Sequence, residues 1–350
     1  MSYTISKPIK WAAACAVAGL CGGGTALGAT GDFDLHGFGY QNYYQTTSNT
    51  YYDADQKGSW DNNFLALIGT FTINDRAKVW AQLETSSDDT THFTWFFVDY
   101  QFTDNLRAHV GRVKLPLGIY NEFIDTKFLQ VTSLEPALYR AEANFVEDSY
   151  NGVGLDYDQS LGAAGALTWQ AYGGNTFIED PPPDAKDRRA YGGRIIYVTP
   201  VDGLRFLLSA YQTQVQLLPS DKMVNEQRWI ASADFVSNGW DIKSEYGDHK
   251  FQGVDSDAYY VQIARAISEK WTPFAQYNYV TLDKALSSSD SYSQKIWVLG
   301  IDYRVRGNIR LRFEDQFNSG YALPVATGEV PVGAGKRNWE LFIAGINFVF

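Results

Sequence analysis

Apolar and polar side chains alternate along most of this chain with a period of two. From Phe64 to Ile73, the residues Leu65, Leu67, Gly69, Phe71 and Ile73 share one parity, and Phe64, Ala66, Ile68, Thr70 and Thr72 the other. After Asn74-Asp75-Arg76 the pattern resumes: Ala77, Val79, Ala81 and Leu83 stand against Lys78, Trp80, Gln82 and Glu84. Successive side chains of a strand face opposite sides, so each run predicts a strand with one apolar and one polar face. The same grammar recurs at 94–102, 106–110, 204–210, 240–246 and 309–314. About sixteen such segments are expected, joined alternately by short turns and longer loops, as in a transmembrane hairpin series. The short turns fall near 74–76, 103–105, 159–164, 199–203, 237–239, 268–270 and 305–308. The long connections fall near 47–60, 86–91, 112–150, 174–187, 217–226, 247–256, 284–293 and 318–336.

This pattern predicts an all-β chain: a closed antiparallel transmembrane β-barrel with short periplasmic turns and long extracellular loops. A soluble sandwich also alternates. At this length, however, it would need at least two units, and no Pro/Gly/Ser linker separates them; Pro181-Pro182-Pro183 sits inside the hairpin rhythm. The last segment carries Phe342, Ala344, Ile346, Phe348 and the terminal Phe350 on one parity. Closing that strand onto the first removes an open edge. Trp240, Trp297, Tyr303 and Trp339 read as outward girdle residues, and Trp80 and Tyr211 as inward ones, too few for a sugar-stacking slide.

Residues 112–150 form the longest connection, and a loop of this length needs a reason. Its apolar content, from Leu115, Leu117 and Ile119 to Leu134, Leu138 and Phe145, is high for a solvated loop. The expectation is a third loop folded into the lumen as a constriction. The alternatives are a surface Ω-loop or a lid at a subunit contact.

The first residues have a different character. Lys7 and Lys10 precede an apolar core, Trp11 to Leu20, and a small-residue stretch ends at Ala26-Leu27-Gly28-Ala29. That is the form of a secretory signal over residues 1–28, with residues 29–350 as the barrel. A buried N-terminal helix is the competing reading, and Gly22 to Gly24 oppose it. Both cysteines, Cys15 and Cys21, lie in this leader, so the barrel has no thiol chemistry. The chain has 29 basic and 40 acidic residues; without Lys7 and Lys10 the balance is 27 to 40, or −13. Such acidity excludes nucleic acid as the expected partner.

The inward parity carries Arg107, His109, Arg194, Arg205, Arg228, Arg310 and Arg312. Arg112 and Lys114 stand where the loop begins. The loop offers Glu122, Asp125, Glu135, Glu142, Glu147 and Asp148, with Lys127 and Arg140 as its bases. Basic wall facing acidic loop would set a transverse field across a constriction, and Arg107, His109, Arg112, Lys114, Glu122, Asp125, Glu135, Arg194, Arg205, Arg228, Arg310 and Arg312 are the expected selectivity residues. The bland reading is that several pair structurally or sit near the mouth.

The run Gly111-Arg-Val-Lys-Leu-Pro-Leu-Gly-Ile-Tyr-Asn-Glu122, with Glu135-Pro-Ala-Leu-Tyr-Arg140 after it, resembles the Gram-negative porins of the phosphate-selective porin O/P-like group. The resemblance implies a homotrimeric barrel with the third loop as constriction. Phe350 resembles the terminal signature that barrel-assembly machinery reads. A lysine ladder of the phosphate-specific members is not seen. The expected function is a water-filled outer-membrane pore for small hydrophilic solutes and ions, bounded by membrane lipid and lipopolysaccharide. The alternatives are an anion-preferring channel, for phosphate for example, and a barrel enzyme. Histidines at 36, 92, 109 and 249 sit in no Ser/His or Asp/His motif, and no metal spacing occurs, so neither a cofactor nor a catalytic group is expected.

Overall fold

The computed structural model describes residues 31–52, 54–86, 91–140, 149–177, 185–323 and 335–350. The leader expected at 1–28 and the loop acids Glu142, Glu147 and Asp148 lie outside the described residues. Sixteen strands are described: β1 Asp32–Thr46, β2 Ser59–Asn74, β3 Ala77–Ser86, β4 Thr91–Thr103, β5 Leu106–Lys114, β6 Ser149–Ser160, β7 Ala166–Phe177, β8 Ala185–Val198, β9 Leu204–Leu217, β10 Lys222–Ser237, β11 Trp240–Phe251, β12 Val254–Arg265, β13 Trp271–Thr281, β14 Ser293–Arg306, β15 Ile309–Gly320 and β16 Asn338–Val349. Each pairs antiparallel with its neighbours in sequence, and β1 pairs with β16 to close the barrel. Closure leaves no edge of unpaired backbone groups, which a sheet in hydrocarbon cannot carry.

The parity read from the sequence is the parity of the wall. On β16, Leu341, Ile343 and Asn347 are buried inside, while Phe342, Ile346 and Phe350 are exposed outside. Large apolar residues such as Leu208, Val153 and Trp297 face outward at about half exposure, forming a belt suited to lipid. Aromatic residues concentrate at both rims of that belt. Trp271 packs at a tilt against Tyr303, ring centres 4.5 Å apart, near one rim, and Tyr277 against Trp297 at 4.7 Å nearer the other. Amphipathic rings suit such boundaries, with one face apolar and one end wet.

Two expected loops are turns instead. β9 and β10 are joined by 218–221, and β11 and β12 by Gln252-Gly253 alone. The strands extend into 217–226 and 247–256 because the alternation continues there with polar residues outside, for example Asn225, Lys250 and Asp255. Polarity on the outward face had hidden the strand. Trp339 is a second correction: it is buried inside, packed against Tyr51 at 5.3 Å, because it has the inward parity of Leu341 and Ile343.

Candidate functional site

Residues 115–140 fold into the barrel and seat against the wall of β8 to β15. The seat is built from hydrogen bonds between loop backbone and inward side chains far away in sequence. Gly118 N–H donates to Ser209 (2.9 Å), Ile119 N–H to Glu245 (2.8 Å), Ala137 N–H to Asn278 (3.0 Å) and Ser133 N–H to Glu314 (2.7 Å). Tyr139 also donates its hydroxyl to Glu245 (2.7 Å), and Tyr120 donates to Gln262 (2.9 Å). Buried backbone groups outside regular structure need such partners. The apolar side chains Leu115, Leu117, Ile119, Leu134 and Leu138 are buried beneath the loop, explaining its unusual composition. Gly118 turns the chain at φ +58°, and a Cβ there would lie 1.9 Å from the Tyr139 hydroxyl. Only glycine fits that approach.

Against the wall of β3 to β7 the loop touches less closely, through Asp125 to Gln82 (3.4 Å) and Lys114. A cavity of about 360 Å³ lies between that wall and the loop, lined by Trp95, Phe97, Arg107, His109, Glu122 and Asp156 among others. Here the expected residues separate into groups. Lys114 reaches Asp125 at 2.7 Å, so one base and one acid of the expected field form a pair at the loop's root. Arg107 lies 3.6 Å from Asp156 and keeps 38% of its side chain exposed. His109 sits between Asp156 (3.0 Å) and Asp99 (3.6 Å). Glu122 is held by Arg194 at 2.5 Å, yet its side chain remains 42% exposed.

Arg194 and Arg312 are clamps. Arg194 also donates to the Gly118 carbonyl (2.8 Å) and Gln170 (2.7 Å). Arg312, with no exposed surface, donates to the carbonyls of Gln130 (2.6 Å) and Thr132 (2.7 Å) and to Asp302. Both face inward as expected, but they hold the loop from beneath. Glu135 stays within the loop, 2.6 Å from Lys127, with Arg140 donating to its carbonyl oxygen. Burial pushes the Glu135 carboxyl up, but Lys127 and Arg140 outweigh it and hold it below its usual range.

Arg205 pairs with Asp234 (2.7 Å), and Arg310 lies over the Phe128 ring (4.4 Å) and near Asp302 (3.8 Å). Arg310 lines a smaller cavity of about 260 Å³ below the loop, towards the short turns. Arg228 is bound to Glu226 and lies over Tyr211. These three are not brought to the passage beside the loop. Arg112 is a correction: it faces outward, over the exposed ring of Phe96 (5.5 Å), donating to the Phe93 carbonyl (2.9 Å) and Asn151. β5 continues to Lys114, so alternation from Arg107 and His109 sends residue 112 to the outer face.

The sequence missed two things. Trp95 and Phe97 point into the cavity because they share the inward parity of Asp99 and Gln101. The register shift lies before them, between Phe93 and Trp95, and sends Phe93 outward. The structure also joins Ser256, His249 and Glu226: the imidazole lies 3.2 Å from the serine oxygen and 2.6 Å from the carboxylate. The histidine lies across from Ser256 in the β11–β12 ladder. All three are buried, and Glu226 is shared with Arg228. Among the described residues no cluster of His, Cys, Asp and Glu is suited to a metal ion.

No family model matches the sequence, and neither does any curated protein. Solved structures do match in shape. An anion-selective porin from Comamonas acidovorans superposes with a TM-score of 0.64 at 16% identity, covering 91% of this chain and 100% of that one. The trimer form of OmpT, an outer membrane protein of Vibrio cholerae, gives 0.62 at 12% identity, covering 91% and 99%. The outer membrane channel DcaP of Acinetobacter baumannii gives 0.58 at 14%, covering 93% and 99%. The likeness is one of fold. It extends over the whole barrel, and no family model stands behind the resemblance to the phosphate-selective group.

Proposed function

We propose that this protein is an outer-membrane porin, a water-filled channel through which small hydrophilic solutes and ions diffuse passively. One observation carries the reading: the third loop seats mainly on one side of the lumen and leaves a cavity of about 360 Å³, lined by charged and aromatic side chains, along the other. The apolar exterior belt and closed ladder support a place in the membrane. In this reading residues 1–28 are a cleaved leader, Phe350 is the strand end met by assembly machinery, and lipopolysaccharide and lipid surround the belt. The match to a trimeric outer-membrane protein supports a homotrimer.

The finer reading, a channel preferring anions such as phosphate, rests on the run from Gly111 to Glu122 with Glu135 to Arg140 after it. Arg112 faces outward and Lys114 is engaged by Asp125, so that run gives the passage little net positive charge. A diffusion pore with balanced walls is therefore the better reading. The trio Ser256–His249–Glu226 is the observation on the side of an enzyme. Ser256 is 4% exposed, which leaves an ester no approach to its hydroxyl, and the trio fits a buried hydrogen-bond network.

The test is the purified protein in proteoliposomes and planar bilayers. Stepwise ion conductance, with faster swelling in small sugars than in large ones, is expected. An impermeable preparation that hydrolyses a short-chain ester, with the activity lost in Ser256→Ala, would overturn the channel reading in favour of an enzyme.

A further inference from the structure

The wall of β3 to β7 beside the cavity has a composition the pore reading does not require. The inward row at mid-height runs Trp80, Phe97, Gly111, Gly152 and Gly174 across β3 to β7, each in register with the next. Two aromatic rings are thus followed by three positions with no side chain. One step along β4, Trp95 lies 5.7 Å from Phe97, their planes tilted by 40°. Phe97 meets the edge of His109 at 5.6 Å and 89°. Trp80, Trp95 and Phe97 are all half-buried, so their rings keep open surface in a water-filled space. Side chains that only completed a core would be covered, and side chains that only lined a wet pore would be polar.

The glycines next to the rings are held by the backbone itself. A Cβ at Gly152 would lie 2.2 Å from the Gly173 carbonyl oxygen, and one at Gly174 2.2 Å from that of Asn151. The bare stretch of wall is therefore fixed, and the aromatic patch opens sideways onto it.

The polar groups at the margins complete the chemistry. Arg107 below the rings and Glu122 on the loop across from them both line the cavity and both keep open surface. One offers several donors, the other two acceptor oxygens. Each already has a counter-charge, Asp156 for Arg107 and Arg194 for Glu122. Above the rings, Glu84 and His92 form a further pair at 3.2 Å. With Arg107 and Glu122 each matched by a neighbour, the two offer hydrogen bonds with little net charge of their own. A volume of about 360 Å³ is within the range of small-molecule sites, about 300 to 1,000 Å³, which combine apolar lining with a few placed polar groups.

We infer that Trp95, Phe97 and Trp80 form a binding site on the passage wall for a neutral hydroxyl-rich ring, a saccharide, whose apolar ring face stacks on the aromatics while Arg107 and Glu122 bond its hydroxyls. The inference rests on the channel reading above and names the solute class that passage holds. An anionic solute gains little where each arginine is already matched by a carboxylate. An acyclic polyol lacks the flat face the rings would cover. A step of retention on the wall, followed by release, raises the flux of a dilute ring solute over one that only diffuses.

The test is sugar-dependent interruption of single-channel ion current in planar bilayers. Maltose is the probe, with sorbitol as an acyclic polyol and tryptamine as an aromatic cation. Maltose is expected to interrupt the current reversibly and in proportion to occupancy, and sorbitol at equal concentration is not. Trp95→Ala is expected to raise the half-blocking maltose concentration about tenfold, the equivalent of about 1.4 kcal/mol. Trp95→Phe, which keeps a ring, is expected to restore most of the effect. A wild-type protein that conducts ions but shows no interruption by maltose overturns the saccharide site and leaves the channel standing. Equal interruption by sorbitol, or interruption by tryptamine alone, overturns it as well. Absence of any ion conductance overturns the channel reading itself.

Discussion

Arg312 grips Asp302 with two of its nitrogens, at 2.7 and 3.1 Å, on adjacent strands of the inner wall. The remaining donors of the same guanidinium point at loop carbonyls, so a single buried side chain ties wall to loop. A planar fork with five donors suits that task, and lysine does not match it.

Truncating this clamp should release the loop. Arg312→Ala leaves the buried Asp302 carboxylate with only the more distant Arg310 (3.8 Å) and the carbonyls of Gln130 and Thr132 without these donors. Removing one member of a buried pair costs about 3 to 5 kcal/mol. The expected outcome is a lower unfolding temperature in detergent, with faster proteolysis within 115–140. Replacing both members, Arg312→Met with Asp302→Leu, should recover much of the loss, because the tightly bound pair is removed together and the partly exposed Arg310 loses only its 3.8 Å contact. A double variant as unstable as the single one would show that the loop carbonyls, not the ion pair, dominate.

Acid should loosen the same loop. Glu135 is held below its ordinary value of 4.5 once Lys127 and Arg140 outweigh its burial. A depressed carboxyl contributes stability that is present above the unfolded value and lost as pH falls through the folded one. The seat should therefore hold through neutral pH and weaken below about pH 4. Glu135→Gln should flatten this acid limb while lowering stability at neutral pH. Unfolding temperature followed from pH 7 downwards checks it, and an unchanged acid limb in the variant contradicts it.

Charge preference should follow placement in the barrel. Arg107 is half open to the passage, Arg310 to the cavity below the loop, and Arg112 to the outside. A unit charge about 10 Å away in water is worth about 0.4 kcal/mol, roughly a factor of two in ion permeability. Arg107→Ala should shift the reversal potential in a salt gradient towards cation preference by about that factor. Arg310→Ala should shift it the same way. Arg112→Ala should leave it where it was.

The barrel was legible because its determinant is local. A period of two needs only neighbouring residues, and Leu65 to Ile73 or Phe342 to Phe350 display it without interruption. The polar rims of β9 to β12 were not legible, since there the outward face carries Gln212, Gln227 and Lys250 instead of the apolar residues that mark a strand in lipid. Arg112 was misplaced although the signal was present. Alternation from Arg107 would have sent it outward, had the strand been continued to Lys114. The aromatic wall was hidden because Trp95 and Phe97, though on the parity of Asp99 and Gln101, are as apolar as the outward residues Phe96 and Val98 between them. The roles of Arg194 and Arg312 were hidden for another reason: their loop partners lie 76 and 182 residues away, and no periodicity spans such a separation.

The central claim is an aqueous passage running between the third loop and the wall of β3 to β7. Among residues 31–350 there is no cysteine, so single thiols can be introduced as reporters. Phe97 lines the passage, and its neighbour Val98 is 41% exposed on the outer face. The decisive measurement is conductance in a planar bilayer during exposure to a charged, membrane-impermeant methanethiosulfonate. Phe97→Cys should lose conductance as the reagent reacts, and Val98→Cys should not. Conductance that is insensitive at Phe97 and falls at Val98, or the absence of conductance in both and in the parent, would contradict the account.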